Sequence, residues 1–202
     1  MESDHWNDRY RVEEYVYGTE PNGFVAESAD RIPVGPVLCL AEGEGRNAVF
    51  LAGLGHAVTA VDRSTAGVEK ARQLARARGV RIEVVAADLA EFDLGRARWS
   101  GIVATFAHLP PELRRTVHRR VVEALAPGGI LVLEAYTPGQ VAYRTGGPKD
   151  PALLMSLEVL REEFEGLDLV VARETERDVI EGFGHTGRGA VVQVLGRKPA
   201  VV

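Results

Sequence analysis

Gly43 and Gly45, separated by one residue and set directly after the apolar run Val37 to Leu40, are the clearest place for chemistry in this chain. Glycines at the carboxyl end of a buried strand let the backbone turn tightly and approach a ligand, and the helix that follows offers free N–H groups. Asn47 to Leu54 has helical character, and Ala57 to Val61 returns as a parallel strand. Asp62 stands at the end of that strand, where a carboxylate can accept hydrogen bonds from both hydroxyls of a ribose. Together these features form half of a nucleotide-cofactor site and point to an adenosine derivative, leaving open which one. Asp88, after the strand Ile82 to Ala86, is a second acid at a strand end, placed either to bind or to cap the next turn. His108 follows the strand Gly101 to Thr105, where open α/β sheets bind ligands, yet it also precedes a Pro-Pro helix start that it can cap. Glu181 and His185 share a glycine-rich stretch, Glu181 to Arg188, with more polar chemistry than a chain reversal requires. Either can face a substrate as a polar group or a base. Arg46 can pair with Glu42 or Glu44 across the turn, or touch a cofactor carboxylate.

The elements that must position these residues alternate. A helix is predicted over Thr65 to Arg78, strands over Ile82 to Ala86 and Gly101 to Thr105, and a helix from Pro110-Pro111 to about Leu125. Ala126-Pro127-Gly128-Gly129 stops that helix, and Ile130 to Ala135 is the fifth strand. Short apolar strands alternating with helices indicate a parallel sheet covered on both faces. The tail differs. Leu153 to Phe164 reads as an amphipathic helix, and strands Leu167 to Glu176 and Gly189 to Gly196 are joined by a polar turn, Asp178 to Arg188. Two strands joined so closely pair antiparallel. Pro138 to Asp150 reads as a mobile loop over the site.

At 202 residues, 46% hydrophobic and 26% charged, the chain suits one domain spanning residues 1–202. A net charge of -5 argues against nucleic acid as a partner, because phosphate neutralisation needs a dense positive face. Cys39 is the single cysteine and sits in the first strand, so no disulfide framework or thiolate metal cluster is expected. Five scattered histidines give no ligand spacing either, so no metal is expected. The polar start and the lack of a long apolar run point to a cytoplasmic protein with no membrane partner. Of the 24 basic residues only Lys70, Lys149 and Lys198 are lysines.

Gly43-Glu44-Gly45-Arg46-Asn47-Ala48 also fits a dinucleotide pattern, which keeps an NAD-dependent oxidoreductase as an alternative. The antiparallel tail, the lack of a Tyr-x-x-x-Lys pair and the short length weigh against it. The arrangement as a whole resembles the class I S-adenosylmethionine-dependent methyltransferases. That resemblance implies a Rossmann-like, doubly wound, seven-stranded and mostly parallel sheet of order 3-2-1-4-5-7-6 with strand seven antiparallel. Gly45-Arg46-Asn47, the leading segment Trp6 to Tyr10 with Tyr17 to Asn22, and His108-Leu109-Pro110 resemble the tellurite-resistance and thiopurine methyltransferase group.

The resemblance implies S-adenosylmethionine as cofactor and S-adenosylhomocysteine as product. It places the methionine part against Ala41, Glu42, Gly43 and Gly45, the ribose on Asp62 with Arg63 beside it, and the adenine beside Asp88 and Leu89. Thr105 and Phe106 line the sulfonium and the substrate. Residues 1–30 cover the cofactor, with Tyr10 and Tyr17 either in that lid or in a simple packing cluster. The partner implied is a small-molecule methyl acceptor, such as a thiol or metalloid oxyanion, bound by a monomer or homodimer. A non-catalytic adenosyl-binding module is the other alternative. The chain departs from the family pattern at Cys39 and Ala41, which stand where the pattern has an acid and its first glycine. Glu42 or Glu44 can replace that acid from a shifted position.

Overall fold

The computed structural model describes residues 2–143 and 145–200, with side chains from His5 onward. Seven strands form one sheet: β1 (Pro36–Leu40), β2 (Ala57–Asp62), β3 (Glu83–Ala86), β4 (Trp99–Thr105), β5 (Leu125–Tyr136), β6 (Asp168–Glu181) and β7 (His185–Arg197). Their order is β3-β2-β1-β4-β5-β7-β6; β1 to β5 run parallel and β7 is antiparallel to both neighbours.

Period-two alternation sorts the apolar residues of the central strands onto two faces. Leu38, Leu40, Ile102, Leu131 and Leu133 pack against Val117 and Val121 of α5 (Pro111–Ala124) and Leu160 of α6 (Leu157–Glu163). Val37, Cys39, Val103 and Val132 pack on the other face against Val25 of α2 (Gly23–Ser28) and Ala48 and Leu51 of α3 (Arg46–Gly53). Each such fully buried aliphatic side chain stabilises the fold by about 1.5–3 kcal/mol before entropy is counted. The remaining helices are α1 (Glu2–Tyr10) and α4 (Thr65–Ala77), which lie against each other.

Three expected boundaries move. The Ala126 to Gly129 stretch belongs to β5, which begins where α5 ends. The last helix starts at Leu157, because Asp150 caps a 3-10 turn at Pro151–Leu153 and Ser156 then caps α6. The tail hairpin is much longer than the expected strands, with Asp178 pairing Arg188 and Glu181 pairing His185, so its turn is only Gly182 to Gly184. Residues 178–188 look like a polar turn because many side chains of this edge ribbon face outward, while Val179, Glu181 and His185 face inward.

The segment 138–150 is fastened around Gln140, which is buried, accepts from the Ala190 N–H at 2.9 Å and donates to Gly146 O at 3.1 Å; Arg144 lies outside the described residues. The N-terminal segment is likewise pinned. Asn7 Oδ1 accepts from the Ser64 and Thr65 hydroxyls and the Ala66 N–H at the start of α4, at 2.9 to 3.2 Å. Further along, the Gly184 N–H donates to Val16 O at 2.9 Å, and a Cβ on Gly182 would stand 2.4 Å from that same oxygen. Glycine at the hairpin tip is what lets the N-terminal segment dock there.

Candidate functional site

In sheet order, the carboxyl ends of β3, β2, β1, β4 and β5 carry Asp88, Asp62, the glycine-rich turn, Phe106 and Tyr136, and β7 opens next to them with His185. A cavity of about 680 Å³ runs along this edge, lined by Asp88, Leu89, Asp62, Arg63, Ala41, Glu42, Arg46, Thr105, Phe106, His108 and His185, and closed from above by Trp6, Arg9, Tyr10 and Tyr17. That size lies within the range of small-molecule and cofactor sites.

The turn after β1 holds three residues in the left-handed region: Ala41 at φ 48°, Gly43 at 59° and Gly45 at 89°. Gly43 and Gly45 do not themselves line the cavity. A Cβ on Gly43 would meet Tyr10 Oη at 2.5 Å, and one on Gly45 would meet Ala71 Cβ at 2.6 Å, so these glycines make room for the covering segment and for α4. In this structure Gly43 and Gly45 shape the turn, which faces the cavity through Ala41, Glu42 and Glu44.

Asp62 is buried and holds the turn in place, accepting from the Gly43 N–H through Oδ2 and the Ser64 N–H through Oδ1, both at 2.8 Å. Burial raises its pKa against these bonds. Each oxygen keeps a second lone pair for a hydroxyl donor. Asp88 combines both readings weighed for it, capping the next turn through the Ala90 N–H at 2.9 Å while standing 3.7 Å from Arg63 at the cavity wall. Thr105 Oγ1 accepts from Asn47 Nδ2 at 3.0 Å.

The β4 to β7 end is aromatic. Phe106, at φ 52°, is a bulky residue in a conformation such residues avoid, a strain found mostly at functional sites. Its ring lies 4.6 Å from those of both Tyr136 and His185, and the Tyr17 ring lies 4.4 Å from His185. His108 Nδ1 stands 2.9 Å from the Leu153 carbonyl oxygen, which can only accept, so that nitrogen carries the proton and Nε2 presents a lone pair. Nε2 of His108 and Nδ1 of His185 have no hydrogen-bond partner among the described residues. Desolvation lowers the His108 pKa to about 4 and, with the positive field of Arg46 next, that of His185 to about 3. Both imidazoles are therefore neutral at pH 7.

Glu181 is the main correction. It does not line the cavity. Its carboxylate accepts from Arg46 at 2.5 Å, Arg177 at 2.8 Å and Asn22 Nδ2 at 2.9 Å. Arg177 and Asn22 also bind Glu134, which is completely buried in β5 and further held by Gln193 Nε2 at 2.6 Å. Glu181 thus positions Arg46 instead of facing a substrate as a base. The pairing expected of Arg46 with Glu42 or Glu44 does not form. Its partner is Glu181, and its second terminal nitrogen is buried without a partner at the cavity wall.

Glu134, Arg177, Tyr136 and Lys70 did not stand out in the sequence as site residues, and Asn47 and Asn22 did so only as parts of motifs. A signal existed for Glu134, a lone acid inside the apolar run Ile130 to Ala135. Lys70 gave none. It lies on α4, pairs with Glu44 at 2.5 Å and donates to the Val12 and Glu14 carbonyls, so Glu44 and Lys70 strap the covering segment to the glycine-rich turn.

Residues 37–129 match the family model described as a methyltransferase domain. Among solved structures, the chain resembles one described under the conversion of a disulfide bond into a thioacetal group during echinomycin biosynthesis, with TM-score 0.78, 21% identity, and coverage of 98% of this chain and 93% of that one. It also resembles TehB from Haemophilus influenzae, with TM-score 0.72, 20% identity, and coverage of 97% of this chain and 66% of that one. A third is the N-methyltransferase NodS from Bradyrhizobium japonicum WM9, with TM-score 0.67, 19% identity, and coverage of 87% and 92%. No curated protein matches the chain in sequence. The stretch that matches a methyltransferase domain thus lies on a sheet of this order, in the fold these structures share. The matched segment holds the glycine-rich turn, Asp62, Asp88, Thr105, Phe106 and His108.

Proposed function

We propose that this chain is an S-adenosylmethionine-dependent methyltransferase that acts on a small molecule with a soft nucleophile, a thiol or a reduced tellurium or selenium oxyanion, held between Phe106, Tyr136, His108 and His185. The observation that carries this reading is the pair of neutral imidazoles with unpartnered nitrogens in an aromatic pocket within a positive field. Arg46, Arg9 and Arg177 all act on His185, which favours an anionic nucleophile over an ammonium ion beside that ring, while Glu181 and Glu134 act on Tyr136 across the pocket. The likeness to the structure described under conversion of a disulfide bond into a thioacetal group agrees with a sulfur acceptor.

The residues fit the cofactor through the size of the cavity and the unpartnered, buried guanidinium nitrogen of Arg46. In this reading Asp62 takes the ribose hydroxyls, Asp88 and Leu89 flank the adenine, and Arg46 takes the carboxylate of the amino-acid tail. The cofactor supplies a methyl group on a positive sulfur, already activated for displacement. The chain's task is alignment and exclusion of water, which can carry most of the acceleration. Tyr10 and Tyr17 cover the cavity. His108 Nε2 accepts the acceptor's proton-bearing group and fixes its orientation. With its pKa near 4 it is no base, so a thiol acceptor would lose its proton to solvent and react as the thiolate. A cytoplasmic location and a monomeric or homodimeric state belong to this reading.

Calorimetry with S-adenosylmethionine and S-adenosylhomocysteine, followed by turnover on thiols, tellurite, selenite and amines, tests the assignment. Binding with turnover of thiols or metalloid oxyanions is expected. Turnover of amines alone overturns the acceptor class, binding without turnover of any acceptor indicates an adenosyl-binding module, and binding of NADH alone returns the oxidoreductase alternative.

A further inference from the structure

Arg114 and His118 of α5 and Glu163 of α6 form a cluster of charged groups that does not line the cavity, with only 6%, 6% and 3% of their side chains exposed. Arg114 Nε donates to both oxygens of Glu163 at 3.1 Å, and a terminal nitrogen stands 3.1 Å from Oε1. His118 Nδ1 donates to Glu163 Oε2 at 2.6 Å while its ring stacks on Phe164. Burial works against the Glu163 charge, but the hydrogen bonds from His118 and Arg114 outweigh it and hold the carboxyl below its ordinary range. Apolar side chains of similar volume would join two helices at least as firmly, without taking charges out of water. What the cluster adds is a fixed geometry.

That geometry reaches the cavity through the Pro151–Leu153 turn. Arg114 Nη1 makes a long contact of 3.4 Å with the Ala152 carbonyl, and the next carbonyl, that of Leu153, accepts from His108 Nδ1 at 2.9 Å. Just beyond it, the Met155 N–H donates to Tyr136 O at 3.0 Å. On the other side, the Arg114 N–H donates to Pro110 O at 2.8 Å, at the start of the helix that follows His108. A circuit therefore runs from His108 along the chain to Arg114, across to the turn, and back to the imidazole. A neutral imidazole is held in one tautomer only while the acceptor on one of its nitrogens stays in place.

We propose that Arg114 is a positioning residue for the methyl acceptor: with Glu163 it holds the Leu153 carbonyl against His108 Nδ1, so that Nε2 meets the acceptor as a fixed hydrogen-bond acceptor. The proposal deepens the methyltransferase reading above and rests on it. Sulfur that reacts as a thiolate has no proton to share with Nε2. The nitrogen therefore takes a second group of the same molecule, a hydroxyl or an amide N–H beside the sulfur, and selects thiols that carry one. Burial is the main cause of the low His108 pKa, and the Arg114 charge adds to it against the Leu153 carbonyl, which agrees with an Nε2 that stays unprotonated.

Two readouts test this together: the tautomer of His108, from nitrogen-15 shifts of its ring assigned through His108→Asn, and turnover of 2-mercaptoethanol against ethanethiol, which lacks the hydroxyl. The wild type is expected to carry its proton on Nδ1 and to prefer 2-mercaptoethanol by about tenfold or more in kcat/KM. Arg114→Lys keeps a charge opposite Glu163 but not the planar fork that spans Glu163 and Ala152. It is expected to fold and to bind S-adenosylhomocysteine as the wild type does, to mix the two tautomers, and to lose the thiol preference through KM with kcat little changed. Glu163→Asp, which keeps the charge and draws it back, is expected to act in the same way and serves where the first variant does not fold. A wild-type proton on Nε2 overturns the proposal. So does a variant that lowers turnover of both thiols equally while the tautomer stays fixed, which makes the cluster a packing feature. Turnover of neither thiol by the wild type removes the thiol reading instead, and the ring shifts in the variants still decide whether Arg114 positions His108.

Discussion

His108 and His185 reach the cavity in a protonation state that their surroundings have already fixed. Their pKa values of about 4 and about 3 mean that neither titrates near pH 6.5, where a free imidazole does. With cofactor saturating, the rate on a thiol acceptor is therefore expected to show no limb at pH 6.5, only the ionisation of the acceptor. A pH profile of kcat/KM from 5 to 8 checks this, and a limb at 6.5 that disappears in His108→Asn contradicts it. Stability follows the same groups. A histidine lowered on folding keeps its full contribution above the unfolded pKa of about 6.5 and loses it as pH falls, at up to about 1.4 kcal/mol per pH unit. Glu42, raised on folding, acts oppositely: its contribution is full below its unfolded pKa and is lost as pH rises toward 7. Two histidines outweigh one glutamate, so urea midpoints are expected to fall between pH 7 and 4.5, and to fall more steeply in Glu42→Gln.

At the scale of elements, the turn after β1 keeps a glycine conformation at a position occupied by Ala41, at φ 48°. The left-handed region costs a Cβ-bearing residue about 1 kcal/mol or more. Ala41→Gly is expected to raise stability by about 1 kcal/mol, read from chemical unfolding, without altering the fold. The hairpin of β6 and β7 makes a different prediction. If Glu181 were a base, Glu181→Gln would reduce kcat and leave stability alone. Its place between Arg46 and Arg177 predicts instead a loss of about 3–5 kcal/mol, the usual result of breaking a buried ion pair. Melting and cofactor affinity, measured together, separate the two outcomes. The hairpin also shows where sequence patterning fails. Val179, Glu181 and His185 point inward from a ribbon whose alternate positions are polar, and polar residues at an edge strand look the same in sequence as polar residues in a turn.

Across the whole molecule, the cavity has a floor made by the sheet and a cover made by the N-terminal segment, joined by few and specific links. Asn7 caps α4, Lys70 holds the Val12 and Glu14 carbonyls, and Asn22 bridges Glu134 and Glu181. Removing residues 1–11 leaves the sheet and both core faces untouched, so circular dichroism is expected to report an intact fold. S-adenosylhomocysteine affinity is expected to fall by at least about tenfold, or about 1.4 kcal/mol. Unchanged affinity in that variant contradicts the covering role of Trp6, Arg9 and Tyr10. Among the described residues no helix is long and apolar enough to cross a membrane.

Local pattern was enough to reveal the alternation of strands and helices, the glycine-rich turn and the acids at the ends of β2 and β3. These depend on periodicity, on backbone conformations that side chains disfavour, and on chain direction, all of which act over a few residues. Strand order came from the resemblance and is realised in the sheet. What the chain alone could not disclose was which polar group answers which. Arg46 meets Glu181 across 135 positions, Asn22 meets Glu181 across 159, and Glu42 turns inward to cap α3. A carboxylate has the same chemistry in every sequence. Whether it becomes a base, an anchor or a ligand for a cation is decided by burial and by the charges that distant elements bring to it, and only tertiary packing sets those.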